Sequence, residues 1–362
     1  MKYQIDQLTS LRGIAAWWVV VYHFELYLVN YLPDFAHTIV TKGYLAVDFF
    51  FILSGFVIYI TYGNKLQSFE KNYFINYILR RLSRIYPLHL FTLLIYISIP
   101  VSLLLFSQQG ILTGKFDLLS FLFNMLLIDA WGIESELTWN IPSWSISAEW
   151  LAYLCFPFLA YVISKYLQSL IYKIIAFLIL WVLFVSSFYF LGYSSVGNNV
   201  AGMAVIRCVF QFSLGCILGS IYLMDLKILL SALMRRILLS IGLVCFSLMF
   251  LSGVLDFVII GLSFGAIILS VSLSEGMVNK ILLNPFFTLL GKISYSTYMI
   301  HYFVKDWFKL LFVEEIGVAT LTELISCFIL IFVLSVISFK FIEMPSQRYF
   351  NEKINVRFNT QR

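Results

Sequence analysis

The sequence predicts an all-α fold, a polytopic transmembrane bundle of about ten helices. Hydrophobic residues make up 61% of the 362 residues, and charged residues only 12%. A soluble domain carries about 25% charged residues, because its surface must face water. Most of the surface of this chain is therefore expected to face lipid. Ten apolar runs approach the roughly 20 residues that a span needs: 11–30, 43–62, 85–106, 144–163, 171–191, 201–224, 237–252, 256–273, 288–308 and 320–341.

The charges of the connecting loops orient these spans. Segment 63–84 contains five basic residues and one acidic residue, and basic residues concentrate in cytoplasmic loops. If 63–84 is cytoplasmic, both termini are cytoplasmic too, provided that an eleventh apolar run, 118–131, does not cross. Crossing would place the acidic, Lys- and Arg-free segment 132–143 in the cytoplasm. We therefore predict that 118–143 is a re-entrant or surface element on the outer side.

Charge and cysteine usage exclude several other functions. The net charge is +5, but the basic residues lie in short loops between apolar runs, which does not predict nucleic-acid binding. The five cysteines all lie in apolar stretches without paired spacing. They predict neither a disulfide framework nor a metal site. The sequence makes no prediction of the oligomeric state.

Arg12 and His23 lie in the first apolar run, where an ionisable group is costly and is therefore a functional candidate. They are eleven positions apart, which is about three helical turns and roughly 16 Å along the helix axis. Both can therefore face the bundle interior, with Arg12 at the cytoplasmic mouth and His23 in the outer half of the membrane. The alternatives are a flanking arginine that reaches the interface and a hydrogen-bonded packing histidine.

Two carboxylates are expected at the depth of His23. Asp48 and Glu149 both lie early in helices that begin on the outer side. A carboxylate beside an imidazole fixes its tautomer and stabilises the imidazolium, as a general base acting on a hydroxyl requires. We therefore predict that His23, Asp48 and Glu149 converge as a catalytic group. The alternative is a structural polar cluster that holds helices together.

Arg81 and Arg84 lie three residues apart at the start of the third span, so they share a helix face. Two guanidinium groups at a helix mouth suit phosphate binding. An ordinary cytoplasmic basic cluster is the alternative. Arg207 is expected to pair with a carbonyl or an acid inside the bundle, with no predicted functional role.

Six motifs in this order resemble the membrane acyltransferase-3 family, of the polysaccharide O-acetyltransferase type. The resemblance covers about residues 6–345 and predicts a stand-alone member without a C-terminal hydrolase-like domain. The motifs are Leu11-Arg12-Gly13 with His23, Val47-Asp48 through Ser54-Gly55, Arg81-Leu-Ser-Arg84-Ile-Tyr86-Pro87, Pro142-Ser-Trp144 through Glu149, Gly291-Lys-Ile-Ser294-Tyr295 through His301, and Phe341-Ile-Glu343-Met-Pro345.

The resemblance implies acetyl-CoA as co-substrate and a carbohydrate hydroxyl as acceptor, free or lipid-linked, on the outer side of a bacterial plasma membrane. Residues 1–345 would be the acyltransferase domain and 346–362 a short basic cytoplasmic tail. The essential Arg and His of the family correspond to Arg12 and His23, and its Arg-x-x-Arg pair corresponds to Arg81 and Arg84. Five further residues of the motifs are candidates for supporting roles: Tyr86, Trp144, Ser294, Tyr295 and His301.

The resulting hypothesis is acetyl transfer from cytoplasmic acetyl-CoA to a surface glycan. His23 would act either as a general base or as an acyl relay. A transporter or flippase for a lipid-linked sugar is the main alternative, since ionisable groups in spans suit transport as well. It leaves the arginine pair unexplained, and an inert scaffold leaves His23 and Glu149 unexplained.

Overall fold

The computed structural model describes residues 5–66, 70–106, 114–224, 231–251, 253–274, 277–313 and 318–359. These residues form helices and turns, with no strand among them. Within them, a long helix overlaps each of the ten predicted spans. The ten helices are α1 (Asp6–His23), α2 (Ala46–Tyr62), α3 (Lys71–Tyr96), α4 (Ser143–Tyr166), α5 (Leu170–Phe190), α6 (Val200–Tyr222), α7 (Ala232–Leu248), α8 (Asp256–Leu273), α9 (Ser294–Phe312) and α10 (Leu321–Ser338).

Seven segments in the described part of the chain are long and apolar enough to cross a membrane. They are Asp34–Lys65, Lys71–Phe106, Ser143–Tyr166, Leu170–Phe190, Val200–Tyr222, Asp256–Leu273 and Leu321–Phe358. Helices α1, α7 and α9 fall outside this set: α7 has only 17 residues, whereas α1 and α9 carry ionisable side chains. The polytopic helical bundle is confirmed, and the figure of ten spans stays a prediction.

Shorter helices connect the long ones. They are Glu25–Leu28, Asp34–Thr41, Gly43–Leu45, Gly63–Lys65, Ser98–Phe106, Gly114–Phe116, Leu118–Met125, Met277–Leu282 and Pro285–Lys292. The predicted surface element contains the eight-residue helix Leu118–Met125. At about 1.5 Å per residue, this helix covers well under half of a hydrocarbon core of roughly 30 Å. The helix is too short to cross a membrane by itself, in line with the prediction from the loop charges.

Helices α2 and α6 pack backbone against backbone. A Cβ atom on Gly55 would lie 1.9 Å from the carbonyl oxygen of Phe212, and one on Gly215 would lie 2.0 Å from that of Ile52. Small residues allow such close approach between helices in lipid. The contact fixes α2 against α6 along their length and brings the polar side chains of these two helices within reach of each other.

A second glycine contact joins α1 to the short helix that precedes α9. A Cβ atom on Gly13 would lie 2.5 Å from the backbone nitrogen of Gly291, and one on Gly291 would lie 2.0 Å from the carbonyl oxygen of Thr9. Two of the six sequence motifs therefore meet directly. Their meeting brings Arg12 to the beginning of α9.

The C-terminal residues form a helix that docks on the bundle. A π-helical turn, Phe339–Glu343, joins α10 to α11 (Met344–Asn359). The Arg80 side chain on α3 donates hydrogen bonds to the amide oxygens of Asn351, at 3.4 Å, and Asn355, at 2.5 Å. Residues 346–359, which the sequence assigned to a short tail, are therefore part of the packed structure. The sequence-based prediction missed this helix because it treated the basic residues only as a topology signal.

Candidate active site

A cavity of about 160 Å³ lies between α1, α2, α3, α4 and α9. Apolar side chains of all these helices except α1 form much of its wall. We call this cavity the arginine chamber, because three of the four acidic or basic side chains that line it are arginines. The four are Arg12, Arg81, Arg84 and Glu149. The chamber therefore unites the arginine of α1 with the Arg-x-x-Arg pair of α3 and the acidic residue of α4.

Arg12 is the least occupied of these arginines. Within the described part of the chain, no hydrogen bond or ion pair is found for its guanidinium group. The field of Glu149 acts on it, and so does that of Glu343, but neither acid is in contact. A guanidinium group carries five N–H donors. Those of Arg12 are available to a ligand in the chamber.

Arg81 and Arg84 have different environments although they share the chamber. Arg81 lies over the ring of Tyr62 at 5.2 Å and donates to its hydroxyl at 3.3 Å. The Nε atom of Arg81 is buried with no partner among the described residues. Arg84 forms an ion pair with Glu343, whose other oxygen accepts from Ser296 at 2.7 Å. Arg81 therefore keeps free donors, whereas Glu343 already holds Arg84 in place.

Glu149 belongs to the chamber rather than to the surroundings of His23. Its carboxylate interacts with the hydroxyls of Ser54 and Tyr153 and with the charges of Arg12 and Arg81. The Ser54 and Tyr153 hydroxyls are themselves 3.2 Å apart. The predicted convergence of Glu149 with His23 is therefore wrong. Glu149 faces the arginines, where it balances their charge.

Asp48 also pairs elsewhere. Its two carboxylate oxygens accept from Nε and Nη2 of Arg207, at 2.9 and 2.5 Å, and Arg207 donates once more to the carbonyl of Tyr44 at 2.8 Å. Asp48 is 0% exposed and Arg207 is 1% exposed. The Arg207 guanidinium also lies over the ring of Trp144 at 5.3 Å. The expectation for Arg207 is confirmed, and the predicted pairing of Asp48 with His23 is wrong.

His23 lies beside a second histidine. The rings of His23 and His301 stack with centroids 5.2 Å apart and an interplanar angle of 29°, and the edge of Tyr302 meets His23 at 5.0 Å. We call His23 and His301 the histidine pair. For His301, the sequence analysis predicted only a supporting role. The signal for more was available, because His301 is an ionisable group in an apolar helix, as His23 is.

The hydrogen bonds of His301 define its tautomer. Its Nδ1 atom lies 2.7 Å from the carbonyl oxygen of Tyr298. A carbonyl oxygen only accepts, so Nδ1 carries the hydrogen and Nε2 carries the lone pair. This Nε2 atom is buried without a partner in the part of the chain that the structure describes. His301 therefore presents an unused proton acceptor beside His23.

Tyr298 stands between the arginine chamber and the histidine pair. It lines the chamber, and its hydroxyl hydrogen-bonds with that of Ser145 at 2.7 Å. The ring of Phe50 packs on it at 6.1 Å, and the ring of His301 lies 5.8 Å away. The chamber and the pair are thus neighbouring compartments with one tyrosine between them.

The remaining candidates divide between the chamber and other surfaces. Ser294 and Tyr295 line the chamber. The Ser294 hydroxyl is buried without a partner among the described residues, and the Tyr295 hydroxyl donates to the Ile85 carbonyl at 2.6 Å. Trp144 packs on the Asp48–Arg207 pair, and Tyr86 lies on another face of α3. The described residues contain no cluster of three or more potential metal ligands.

Comparisons with known proteins identify what the chain is similar to. The sequence model of the acyltransferase domain family matches residues 5–340. "Acyltransferase MdmB" of Streptomyces mycarofaciens is 33% identical over 159 residues, which are 42% of this chain and 38% of that protein. "Protein 2 in picA locus" of Rhizobium radiobacter is 37% identical over 88 residues, or 24% of this chain and 40% of that protein. The matches thus cover less than half of each relative. No solved structure gives a significant match.

Proposed function

This chain belongs to the acyltransferase family whose domain model spans residues 5–340, and we propose that it transfers an acetyl group from acetyl-CoA to a carbohydrate hydroxyl. One observation carries this proposal: three arginines and a glutamate surround one chamber, and a histidine pair lies next to it. A transferase that joins a phosphate-bearing donor to a hydroxyl needs both parts. The proposed location is a bacterial plasma membrane, with both termini in the cytoplasm.

The arginine chamber suits an anionic thioester donor. Guanidinium groups bind phosphates through two parallel hydrogen bonds, and Arg12 and Arg81 have donors that the described protein does not use. The chamber wall between the arginines and Tyr298 is largely apolar. That lining suits the uncharged part of the donor and its acyl group. We therefore propose that the donor phosphates bind at the arginines and that its thioester points toward Tyr298.

The histidine pair supplies the proton acceptor for the reaction. The acceptor hydroxyl oxygen attacks the thioester carbonyl carbon, and its proton passes to an unprotonated imidazole nitrogen of His23. The carbon–sulfur bond then breaks, and the leaving thiolate takes the proton from the imidazolium. His301 fits the role of keeping His23 oriented, since its own Nδ1 is committed to a backbone carbonyl.

A relay through an acylated histidine balances equally well. In that route the unprotonated imidazole nitrogen of His23 attacks the thioester first, and the thiolate leaves and takes the proton of the other ring nitrogen. The acceptor hydroxyl oxygen then receives the acetyl group, the imidazole leaves, and the hydroxyl proton passes back to the imidazole. The route differs in one observable: an acylated protein exists before acceptor is added. The two routes are distinguished by incubating the protein with labelled acetyl-CoA and no acceptor, quenching the reaction, and analysing the peptides by mass spectrometry.

The main experiment measures acetyl-CoA cleavage by the purified protein with glycan acceptor. His23→Ala is expected to lower the turnover by about 10²- to 10⁴-fold, the usual contribution of a general acid–base group. His37→Ala is the matched control, because His37 lies on the short helix Asp34–Thr41 outside both compartments. Unchanged turnover in His23→Ala would refute both routes. Movement of a lipid-linked sugar without thioester cleavage would favour the transporter alternative.

The acceptor is identified separately. Mass spectrometry of surface glycans from a strain that lacks this chain is expected to show the loss of one acetyl group from a defined sugar. An unchanged glycan profile would contradict the carbohydrate acceptor but would leave the donor half of the proposal to the cleavage assay.

A further inference from the structure

A second cavity lies on the other side of α3. It has a volume of about 350 Å³ and runs between α3 and the C-terminal helix α11. We call it the α3–α11 groove. Its lining residues are Leu79, Leu82, Ser83, Tyr86, Pro87, Phe350, Lys353, Ile354 and Arg357. The arginine chamber is lined from α3 by a different set, Arg81, Arg84 and Ile85, so α3 forms a wall between the two cavities.

The groove combines an apolar floor with two cations. Leu79, Leu82 and Ile354 supply aliphatic surface, and Ile354 is only 7% exposed. Lys353 and Arg357 are four residues apart, so they lie on one face of α11. Neither forms an ion pair with another described residue; Lys353 lies 4.5 Å from the ring centroid of Tyr349, and Arg357 lies 5.8 Å from that of Phe358. The floor therefore suits hydrocarbon, and the two cations suit a negative charge.

The position of the groove indicates what can reach it. Both of its walls adjoin apolar membrane-spanning segments: α3 lies in Lys71–Phe106, and the polar helix α11 continues the apolar helix α10 within Leu321–Phe358. Helix α11 also exposes apolar side chains beside its basic ones: Tyr349 is 52% exposed and Val356 is 70% exposed. A helix that mixes exposed aromatic and basic residues is typical of the membrane interface. The groove therefore opens where phospholipids are the most abundant amphiphiles.

We propose that the α3–α11 groove is a binding site for an anionic phospholipid. The lipid phosphate lies between Lys353 and Arg357, and an acyl chain covers Leu79, Leu82 and Ile354. Basic pockets beside transmembrane helices recognise anionic head groups in this way. The volume also falls within the roughly 300–1,000 Å³ of ordinary ligand sites. A soluble phosphate would satisfy the cations but leave the apolar floor exposed, so the lipid accounts for both features.

The site is also connected to the arginine chamber through the protein. Arg84 in the chamber wall pairs with Glu343, which belongs to the π-turn immediately before α11. Arg80, next to the chamber residue Arg81, holds α11 through Asn351 and Asn355. A lipid in the groove would hold α3 and α11 together on the side that faces away from the chamber. The binding proposal itself does not depend on the proposed acetyl transfer.

The test compares lipids that share acyl chains but differ in charge. Dioleoyl phosphatidylglycerol is expected to raise the thermal unfolding midpoint of the detergent-purified protein, and dioleoyl phosphatidylcholine is expected to have little effect. The double variant Lys353→Gln/Arg357→Gln removes two charge-assisted hydrogen bonds, so its apparent affinity should fall by about tenfold or more. Arg348→Gln is the matched control, because Arg348 lies on α11 outside the groove and should leave the shift unchanged.

A second variant tests the apolar floor without touching the charges. Leu82→Trp narrows the groove and is expected to weaken the phosphatidylglycerol effect while Lys353 and Arg357 remain. Native mass spectrometry provides an independent readout: fewer bound phosphatidylglycerol molecules are expected for both groove variants than for Arg348→Gln. Equal shifts with both lipids, equal binding by the double variant, or a shift of the same size with inorganic phosphate alone would each overturn the proposal.

Discussion

The Asp48–Arg207 pair and the arginine chamber are both buried groups of charges in the same bundle, and they differ in how completely the charges are satisfied. Both oxygens of Asp48 accept from Arg207, and the remaining Arg207 contacts go to the Tyr44 carbonyl and the Trp144 ring. In the chamber, by contrast, Arg12 has no hydrogen-bond partner within the described residues. The Nε atom of Arg81 has none there either. We call the Asp48–Arg207 pair closed, because its hydrogen bonds are complete, and the chamber open, because some of its guanidinium donors are unused.

This difference shows which buried charges indicate function. Any ionisable group inside lipid is costly, so its presence alone makes it a functional candidate. A pair whose hydrogen bonds are complete is explained by helix association. A cavity with unused guanidinium donors is complete only when a ligand fills it.

Breaking the closed pair is expected to destabilise the protein most. Arg207→Leu leaves the Asp48 carboxylate buried without its cation, which typically costs about 3–5 kcal/mol. The loss should appear as reduced folded yield and a lower unfolding midpoint in detergent. The double variant Asp48→Leu/Arg207→Leu should recover much of the loss, since it leaves no unpaired charge. A stable Arg207→Leu single variant would show that the pair is not structural.

Removing the Arg12 cation from the chamber is expected to affect ligand binding rather than the stability of the protein. Arg12→Gln removes a cation that has no partner among the described residues, so the unfolding midpoint should stay near that of the unmodified protein. The dissociation constant for acetyl-CoA should rise by about 10- to 100-fold, the equivalent of one charged hydrogen bond of about 1.5–3 kcal/mol. Lys71→Gln, an exposed cation at the start of α3, is the control. Unchanged affinity in Arg12→Gln would remove Arg12 from the donor site.

The sequence predicted the helices well, because the hydrophobic run is a local signal. Each of the ten apolar runs overlaps a long helix, and the loop charges separated the non-crossing segment around Leu118–Met125 from the spans. The helix over residues 346–359 was missed because it depends on contacts with residues that are distant in the sequence. Helix α11 is held by contacts such as Arg80 with Asn351, between residues that are 271 positions apart.

The site was predicted in composition but not in pairing. The sequence selected Arg12, Arg81 and Arg84, and the structure places all three in one chamber. The sequence analysis also predicted that His23 lies beside Asp48 and Glu149, because position along a helix gives depth in the membrane. Depth does not determine which neighbouring helix a side chain faces. That depends on helix contacts such as Gly55 against Phe212, which bring Asp48 to Arg207 instead.

The contact between α2 and α6 gives a third prediction. Gly55→Ala would place a methyl group 1.9 Å from the Phe212 carbonyl oxygen, so the helices must separate. Overpacking of this kind costs about 1–3 kcal/mol and would loosen the Asp48–Arg207 pair. In Gly261→Ala, the tightest contact of the new methyl would be with the flexible tip of Leu214, at 3.1 Å, so a much smaller change is expected. Equal unfolding midpoints for the two variants would contradict the close packing of α2 on α6.

Asp129, outside the membrane-spanning helices, is a third kind of buried charge and gives the smallest expected effect. Its side chain interacts with that of Ser147, but its Oδ1 atom has no partner among the described residues. Burial raises the pKa of Asp129 to about 7, well above the value of about 3.9 for an unfolded chain. Between these two pKa values, the Asp129 carboxyl therefore keeps its proton in the folded state but has released it in the unfolded state.

The free energy of unfolding should therefore fall as the pH rises toward and through the folded-state pKa of about 7. Between pH 6 and 8 the unfolded state favours ionisation throughout, whereas the folded state ionises only above about 7. The free energy of unfolding therefore decreases by about 1.4 kcal/mol from pH 6 to pH 8, which is the equivalent of one pKa unit. Asp129→Asn cannot ionise, so its unfolding midpoint should decline less from pH 6 to pH 8, and other titrating groups cancel in the comparison. Parallel declines for the two proteins would mean that the Asp129 carboxylate is as fully compensated as that of Asp48.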